Sequence, residues 1–315
     1  MSAKPIVCYG DLVADLVMQI QRLPILPEQA QLAHGLTVEP GGAGNTLITA
    51  ARLGAKCVAL GAMGEDPNGE HIFNILKSEN IDLRFAQRGT GSVTVLVLGF
   101  VDAAGQHVFI AHDGTGEPFA LDEREADCIR GAGVFFVPGY SLAEQRMAGA
   151  AITALQVAQR AAVPIMSDLG PICGDASVRE AAIEVIRHST VTFLTADEAM
   201  LFTGKRSYDV AAHALQKLGS QVVIVKRGAQ GCVVFDGDRM VAIPGIPVVA
   251  RDTTAAGDTF AGGFMVEWLE HGDGVRSAHF ANAVAAAKVQ KIGSGRQCPT
   301  QPEVQAVLKQ IKNYE

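Results

Sequence analysis

The sequence predicts an α/β fold, a three-layer α/β/α sandwich with a mainly parallel central sheet and a small β-sheet lid. Three observations predict it. Short apolar runs alternate with longer amphipathic or Ala-rich runs along most of the chain, which is the pattern of crossover βα units. Two β-rich segments, about 11–38 and 92–111, interrupt that rhythm in the first half. No linker, repeat or low-complexity tract divides the 315 residues, so 1–315 is expected to be one domain.

In chain order, Ile6–Tyr9 is the first strand. The segment 11–38 carries Pro24 and Pro27 among β-rich pieces, and 92–111 reads as two strands around a turn at 102–105. Both are expected to form a lid over a ligand cleft. Further strands are expected at 57–62, 134–137, 164–168, 191–194 and 221–226, with helices near 44–52, 68–79, 143–161, 176–187 and 210–218. Asp236-Gly237 suits a tight hairpin between 232–235 and Arg239–Ile243, and helices follow at Ala256–His271, 275–292 and 302–312.

Composition narrows the function. A hydrophobic content of 48% with 19% charged residues supports a large buried core, and a net charge of −7 opposes binding to nucleic acid or an acidic membrane surface. The six cysteines form no CxxC pair; all but Cys298 lie in or beside apolar segments, and they read as reduced thiols. The first strand stands too near the N-terminus to leave room for a signal peptide, and no uncharged run reaches the roughly 18 residues of a membrane span. A cytoplasmic protein is expected. His34, His71, His107 and His112 show no metal-ligand spacing.

The string RDTTAAGDTFAGG at 251–263 places small residues before a helical pattern in which Phe260, Phe264 and Trp268 recur on one face. A helix starting near Ala256 presents free N–H groups there, and Gly257 lets a phosphate approach them closely. Asp258, in the first turn, is favoured as an ionised carboxylate beside that phosphate and suits a general base. The string alone equally suits a helix whose first-turn acid complements the dipole and whose glycines permit tight packing. A second Gly-rich segment, PGGAGNTLITAARLGAKCVALGAMGED at 40–66, exposes backbone at Gly41, Gly42 and Gly44 for hydroxyls or phosphate, with Asn45 at the helix start. It lacks the Lys of a P-loop and does not follow a strand as a dinucleotide fingerprint does.

Together, in this order and at this separation, the two segments resemble the two signatures of the ribokinase-like, or PfkB, carbohydrate kinases. YGDLVAD near the N-terminus resembles the family's first strand and sugar-binding loop, and VKRGAQG at 225–231 resembles its nucleotide-binding turn. The resemblance spans essentially the whole chain and implies an ATP- and Mg2+-dependent kinase. It implies Asp258 as the base, with an anion hole from the amides of Ala255, Ala256 and Gly257. For the acceptor it implies Asp15, Asp11, Gly41, Gly42 and Asn45. For ATP it implies Lys226, Gly228, Gly231 and Asn282, the last facing the base. Glu198 resembles the Glu of an N-x-x-E motif that organises Mg2+ through water; Thr195 stands where that motif has Asn, which implies altered phosphate or metal contacts. A monovalent cation, potassium, is implied at main-chain oxygens of Asp252, Thr254, Val289, Ile292 and Ser294, although Gln297 replaces a serine that often completes that site. A homodimer through the lid, using exposed strands at 93–100, is a further implication.

The acceptor expected is a small free sugar or sugar acid. Ala43 lies between Gly42 and Gly44, and Arg22 is the only Lys or Arg of 11–38, which disfavours a phosphorylated sugar. The same segment has no Phe, Tyr or Trp to hold a base. A nucleoside kinase of the adenosine or inosine type and a non-catalytic ligand-binding paralogue are the alternatives.

Overall fold

The computed structural model describes residues 4–310. Strand β1 (Ile6–Tyr9) is followed by β2 (Ala14–Gln19), β3 (Gly35–Pro40), α1 (Ala43–Arg52), β4 (Cys57–Gly64), α2 (Pro67–Ser78) and β5 (Asp82–Gly89). Next come β6 (Leu96–Val101), β7 (His107–His112), α3 (Glu123–Arg130), β8 (Val134–Pro138), α4 (Ala148–Arg160) and β9 (Ile165–Asp168). The chain continues through α5 (Arg179–His188), β10 (Val191–Thr195), α6 (Ala196–Thr203), α7 (Tyr208–Leu218), β11 (Val222–Lys226), β12 (Cys232–Asp236) and β13 (Arg239–Ile243). It ends with α8 (Ala256–His271), α9 (Gly274–Lys288) and α10 (Gln301–Gln310).

Nine strands form the main sheet in the order β13-β12-β11-β10-β9-β8-β1-β4-β5. Every pair from β11 to β5 is parallel, while β12 and β13 add an antiparallel hairpin at one edge. The central strands are buried on both faces, as parallel strands covered by crossover helices must be. Alternation splits β1 between the two cores: Val7 and Tyr9 pack on the side of α4, α5 and α7, and Ile6 and Cys8 on the side of α1, α2 and α8. This is the expected three-layer sandwich.

The two inserted segments form a separate four-stranded sheet, β3-β2-β6-β7. The expected turn at 102–105 closes β6 onto β7, with Asp102 Oδ1 accepting from the amides of Ala104 and Gln106 at 2.9 Å each. The strand region expected to be exposed differs. β6 is paired on both sides and partly covered, whereas β7 is an edge exposed along its length, with Val108, Phe109 and Ile110 open to solvent.

Several boundaries also differ. The expected helix 143–161 begins only at Ala148, because Glu144 and Arg146 turn inward toward Asp11 in an irregular stretch. The helix expected at 176–187 starts at Arg179, after Asp175 accepts from Ser177 N–H in a tight turn. The helix expected to reach 292 ends at Lys288, whose buried side chain joins the following loop. The last helix is described to Gln310, so the expected residues 311 and 312 lie outside the described residues. Strand β5 and helices α3 and α6 were not expected. In β5 no clear apolar alternation exists, since its residues are half-buried almost throughout. Cys298, set apart in the sequence, is fully buried; among the described residues all six thiols are free.

Helix α8 is fixed on the sheet by aromatic contacts. Phe193 of β10 meets Phe260 and Phe264 edge-on at centroid distances of 6.1 and 5.0 Å, and Trp268 stacks on Phe264 at 5.8 Å. Gly262 and Gly263 then let the neighbouring helices close in: a Cβ on Gly262 would lie 2.8 Å from Thr46 O of α1, and one on Gly263 would lie 2.7 Å from Val284 of α9.

Candidate active site

That close crossing of α1 and α8 joins the two Gly-rich segments. Asn45 Nδ2 donates to Asp258 Oδ2 at 2.9 Å, and Thr46 Oγ1 donates to the Asp258 carbonyl at 3.3 Å. Asn45 Oδ1 in turn accepts from Gly295 N–H at 2.7 Å. The Asp258 carboxyl is pushed up to about 6, chiefly by burial; the Asn45 hydrogen bond opposes that shift, Asp168 adds to it, and Lys226 and Lys288 also hold it down. Such a carboxylate is ionised near neutral pH yet remains a usable proton acceptor.

The turn ahead of α8 is unusual. Ala255 adopts the left-handed conformation with φ of 60°, which costs a residue with a Cβ about 1 kcal/mol. The Ala256 N–H closes onto Thr253 O at 3.1 Å. Gly257 faces Lys226: a Cβ there would stand 3.1 Å from Lys226 Nζ and 3.9 Å from Asp168 Oδ2.

Lys226, Thr195 and Asp168 lie at the C-terminal ends of the parallel strands β11, β10 and β9, the edge where ligands bind in open α/β sheets. Lys226 Nζ pairs with Asp168 Oδ2 at 2.5 Å. Burial pulls the Lys226 pKa down, but the Asp168 and Glu198 carboxylates outweigh it and hold it above the ordinary lysine value. Asp168 Oδ1 is buried with no partner among the described residues. Sequence reading missed Asp168; its signal was a lone acid closing an apolar strand.

Thr195 caps α6. Its Oγ1 accepts from Glu198 N–H at 3.2 Å while Glu198 Oε2 accepts from Thr195 N–H at 2.7 Å, a reciprocal capping box. Threonine thus keeps the capping role that an Asn at this position could also serve. Gly228 and Gly231 have φ of 54° and 86°; the first faces open space, while a Cβ on the second would lie 2.2 Å from Ile243 O. Asn282, expected to face the base, donates to Pro244 O at 3.3 Å and so braces the loop after β13.

On the lid side, Gly41 is packed against Asp15 so tightly that a Cβ would stand 1.9 Å from Asp15 Oδ1. The Asp15 carboxyl is pushed up to about 7, first by burial, with Asp258 and Glu39 adding to the effect and the Ser294 hydroxyl opposing it. Gly42, with φ of 47°, passes within 3.9 Å of the Tyr140 ring by the same measure. Asp11 forms a buried pair with Arg146 at 2.9 Å, its N–H donates to Glu144 at 3.1 Å, and its Oδ1 has no partner among the described residues. Burial pushes Asp11 up to about 6 against the Arg146 charge. Arg146, Glu144 and Tyr140 all escaped the sequence reading because they arrive from beyond β8. Across a cavity of about 510 Å³ lined by Gln19, Asp102, Arg251 and Thr253 among others, the β6–β7 turn faces the other motif, and a Cβ on Gly105 would lie 3.8 Å from Arg251 O.

Asp252, Thr254, Val289, Ile292 and Ser294 also converge. Asp252 accepts from Thr254 N–H at 2.8 Å and Gly293 N–H at 2.7 Å, tying the turn before α8 to the loop after α9. Among the described residues, no helix is long and apolar enough to cross a membrane.

Comparisons with known proteins identify the family and the fold. The family model described as pfkB family carbohydrate kinase matches residues 3–301. The chain is 29% identical over 303 residues to the ATP-dependent ribose-1-phosphate kinase of Halopiger xanaduensis, spanning 94% of this chain and 95% of that protein. It is 27% identical to the ribokinase of Mus musculus, over 97% of this chain and 95% of that protein. The fold superposes on Arabidopsis thaliana ribokinase complexed with ribose and ATP with a TM-score of 0.84 at 24% identity, covering 98% of this chain and 99% of that one. The chain belongs to the pfkB family of carbohydrate kinases and is an ATP-dependent carbohydrate kinase.

Proposed function

We propose that the enzyme transfers the γ-phosphoryl group of ATP to a hydroxyl of a small free sugar or sugar acid, with Asp258 as the general base. The observation that carries this reading is the half-buried Asp258 carboxylate at the start of α8, held by Asn45 at 2.9 Å. Asp15 and the unpartnered Oδ1 of Asp11 supply acceptors for sugar hydroxyls beside Gly41 and Gly42. The amides of Ala255 and Gly257, with Lys226 against Gly257, receive the charge of the moving phosphoryl group, while the Ala256 amide serves mainly to close the turn. Gly228, Gly231 and the Asn282-braced loop line the nucleotide side.

Magnesium fits the strand ends. The orphaned Asp168 Oδ1 and the Glu198 carboxylate are the groups that would hold it, directly or through water. When bound, it neutralises phosphate charge. The lid, facing Arg251 across the cavity, closes to exclude water so that the sugar and not water accepts the phosphoryl group. The exposed edge strand β7 supports a homodimer through the lid, which light scattering of the purified protein checks.

A free sugar is favoured over a phosphorylated one because the Arg146 guanidinium beside Asp11 is already engaged. One observation favours a second acceptor class: Tyr140 gives the cleft an aromatic face near Gly42, suitable for a nucleoside base. The test is a coupled assay of ADP release with ATP and a panel of pentoses, hexoses, sugar acids, ribose 1-phosphate, adenosine and inosine. A free sugar or sugar acid as the preferred acceptor is expected, and Asp258→Asn should lower its turnover by about 100-fold or more. An Asp258→Asn enzyme with full activity would sink the base assignment.

A further inference from the structure

The oxygens assigned to a monovalent cation are largely engaged already. Asp252 O accepts from Lys288 Nζ at 3.2 Å, Val289 O accepts from the amides of Arg251 and Asp252 at 2.7 and 3.2 Å, and Ser294 O accepts from Gln297 N–H at 3.0 Å. Lys288 Nζ also reaches Lys291 O at 3.3 Å and stands 3.8 Å from Asp252 Oδ2, with its side chain 0% exposed. A buried ammonium held by two carbonyls and a carboxylate has the charge and the oxygen partners of a bound monovalent cation. A potassium ion placed beside it would add a second positive charge against the single Asp252 carboxylate. The residues therefore do not fit a separate cation.

We propose that Lys288 is a built-in cation, a positioning residue whose ammonium holds the 252–257 turn in place of a potassium ion and makes the enzyme independent of monovalent salts. Its position follows from the fold. Lys288 is the last residue of α9, where a cation also complements the helix dipole, and the loop that follows folds the Lys291 carbonyl back over the ammonium. Asp252 is the other half of the device. Its carboxylate bridges Thr254 and Gly293, and buried without a counter-charge it would be costly. Lys288 supplies that charge from within the chain, and its field extends to Asp258, whose ionised form it favours. The inference rests on the reading that the turn at 255–257 receives the moving phosphoryl group.

The test compares the full-length enzyme in choline, sodium and potassium chloride at matched ionic strength. Two readouts are followed: turnover with the best acceptor found, and binding of a non-hydrolysable ATP analogue by calorimetry, which needs no acceptor. The wild type should vary less than about twofold among the salts in both. Lys288→Ala, which opens room for an ion, should lose about tenfold or more in turnover in choline and recover selectively in potassium. Lys288→Met fills the same space and should not recover. Potassium stimulating the wild type several-fold overturns the proposal, as does a folded Lys288→Ala enzyme that is equally active in every salt. The wild-type salt series decides the matter if the variants fail to fold. If no acceptor is found, analogue binding still separates failure of the cation inference from failure of the acceptor assignment.

Discussion

Asn45 and Asp258, 213 positions apart in the chain, meet at 2.9 Å through the amide nitrogen of one and the carboxylate of the other. The same amide is pinned from behind by Gly295, so its nitrogen can only face Asp258. This contact fixes the rotamer of the proposed base and stabilises its ionised form. Turnover should therefore fall as pH drops below about 6, approaching tenfold per unit, because protonation removes the base.

Replacing Asn45 by Leu removes a donor to the carboxylate, which raises the Asp258 pKa further. The acid limb of the turnover profile should then move to higher pH. The Gly295 amide also loses its acceptor, at a cost of about 1–3 kcal/mol in stability. Stopped assays between pH 5 and 9 check the first effect and denaturant melts the second; an unmoved acid limb would mean that Asn45 does not tune the base.

Four carboxyls, three of them buried and Asp258 half-buried, carry a common sign. Asp11 and Asp258 are pushed up to about 6, Asp15 to about 7 and Glu144 to about 8, each chiefly by burial. Between the unfolded carboxyl value near 4 and these values, the folded chain holds protons that the unfolded chain has released. Stability then falls as pH rises through this window. The carboxyls held low, such as Asp252 and Glu303, act below it and leave the trend intact. The melting temperature of the ligand-free enzyme should be higher at pH 5.5 than at pH 8.5, and a scanning calorimeter reads it directly. The reverse order would show these groups to be ionised in the fold.

Two glycines separate geometry from backbone entropy. Gly41→Ala sets a methyl 1.9 Å from Asp15 Oδ1, so it should displace that carboxylate and raise the KM for the acceptor by about tenfold or more. Gly149→Ala meets nothing within 4 Å on the exposed side of α4 and should stabilise the protein by about 0.5–1 kcal/mol with unchanged kinetics. If Gly41→Ala leaves the acceptor KM unchanged, Asp15 is not part of the acceptor site.

The sandwich and the small second sheet were legible because their signals are local: βα alternation, a hairpin turn, and aromatic residues every four positions on α8. That the two Gly-rich segments serve one site was legible only through the family resemblance, and the hydrogen bond from Asn45 to Asp258 was not read at all, since nothing in either segment points to the other. Asp168 showed only as a lone acid closing an apolar strand, and Arg146 and Lys288 were not legible. Each is a single charge at the edge of an apolar run, and its partner lies 58, 135 or 36 residues away. Burial turns such a residue from a solvated end into a site, and burial belongs to the tertiary structure. Lys288 in particular follows Ala285, Ala286 and Ala287 at the end of an alanine-rich helix and reads as an ordinary helix residue.

The pair of Lys226 and Asp168 yields the sharpest test of the phosphate side. At 2.5 Å the two charges neutralise each other, yet Lys226 also stands against Gly257 and Asp168 keeps one oxygen unpartnered. A purely structural pair would lose stability on truncation of either member and lose little activity beyond that. A pair serving the phosphoryl group should lose activity in two distinguishable ways. Lys226→Met should lower turnover by about 100-fold, since it removes charge from the moving group, with little change in magnesium requirement. Asp168→Asn keeps the shape and weakens the metal side, so its activity should recover partly as magnesium is raised. Magnesium titrations of both variants beside the wild type resolve the two roles, and parallel titration curves for all three would exclude Asp168 from the metal site.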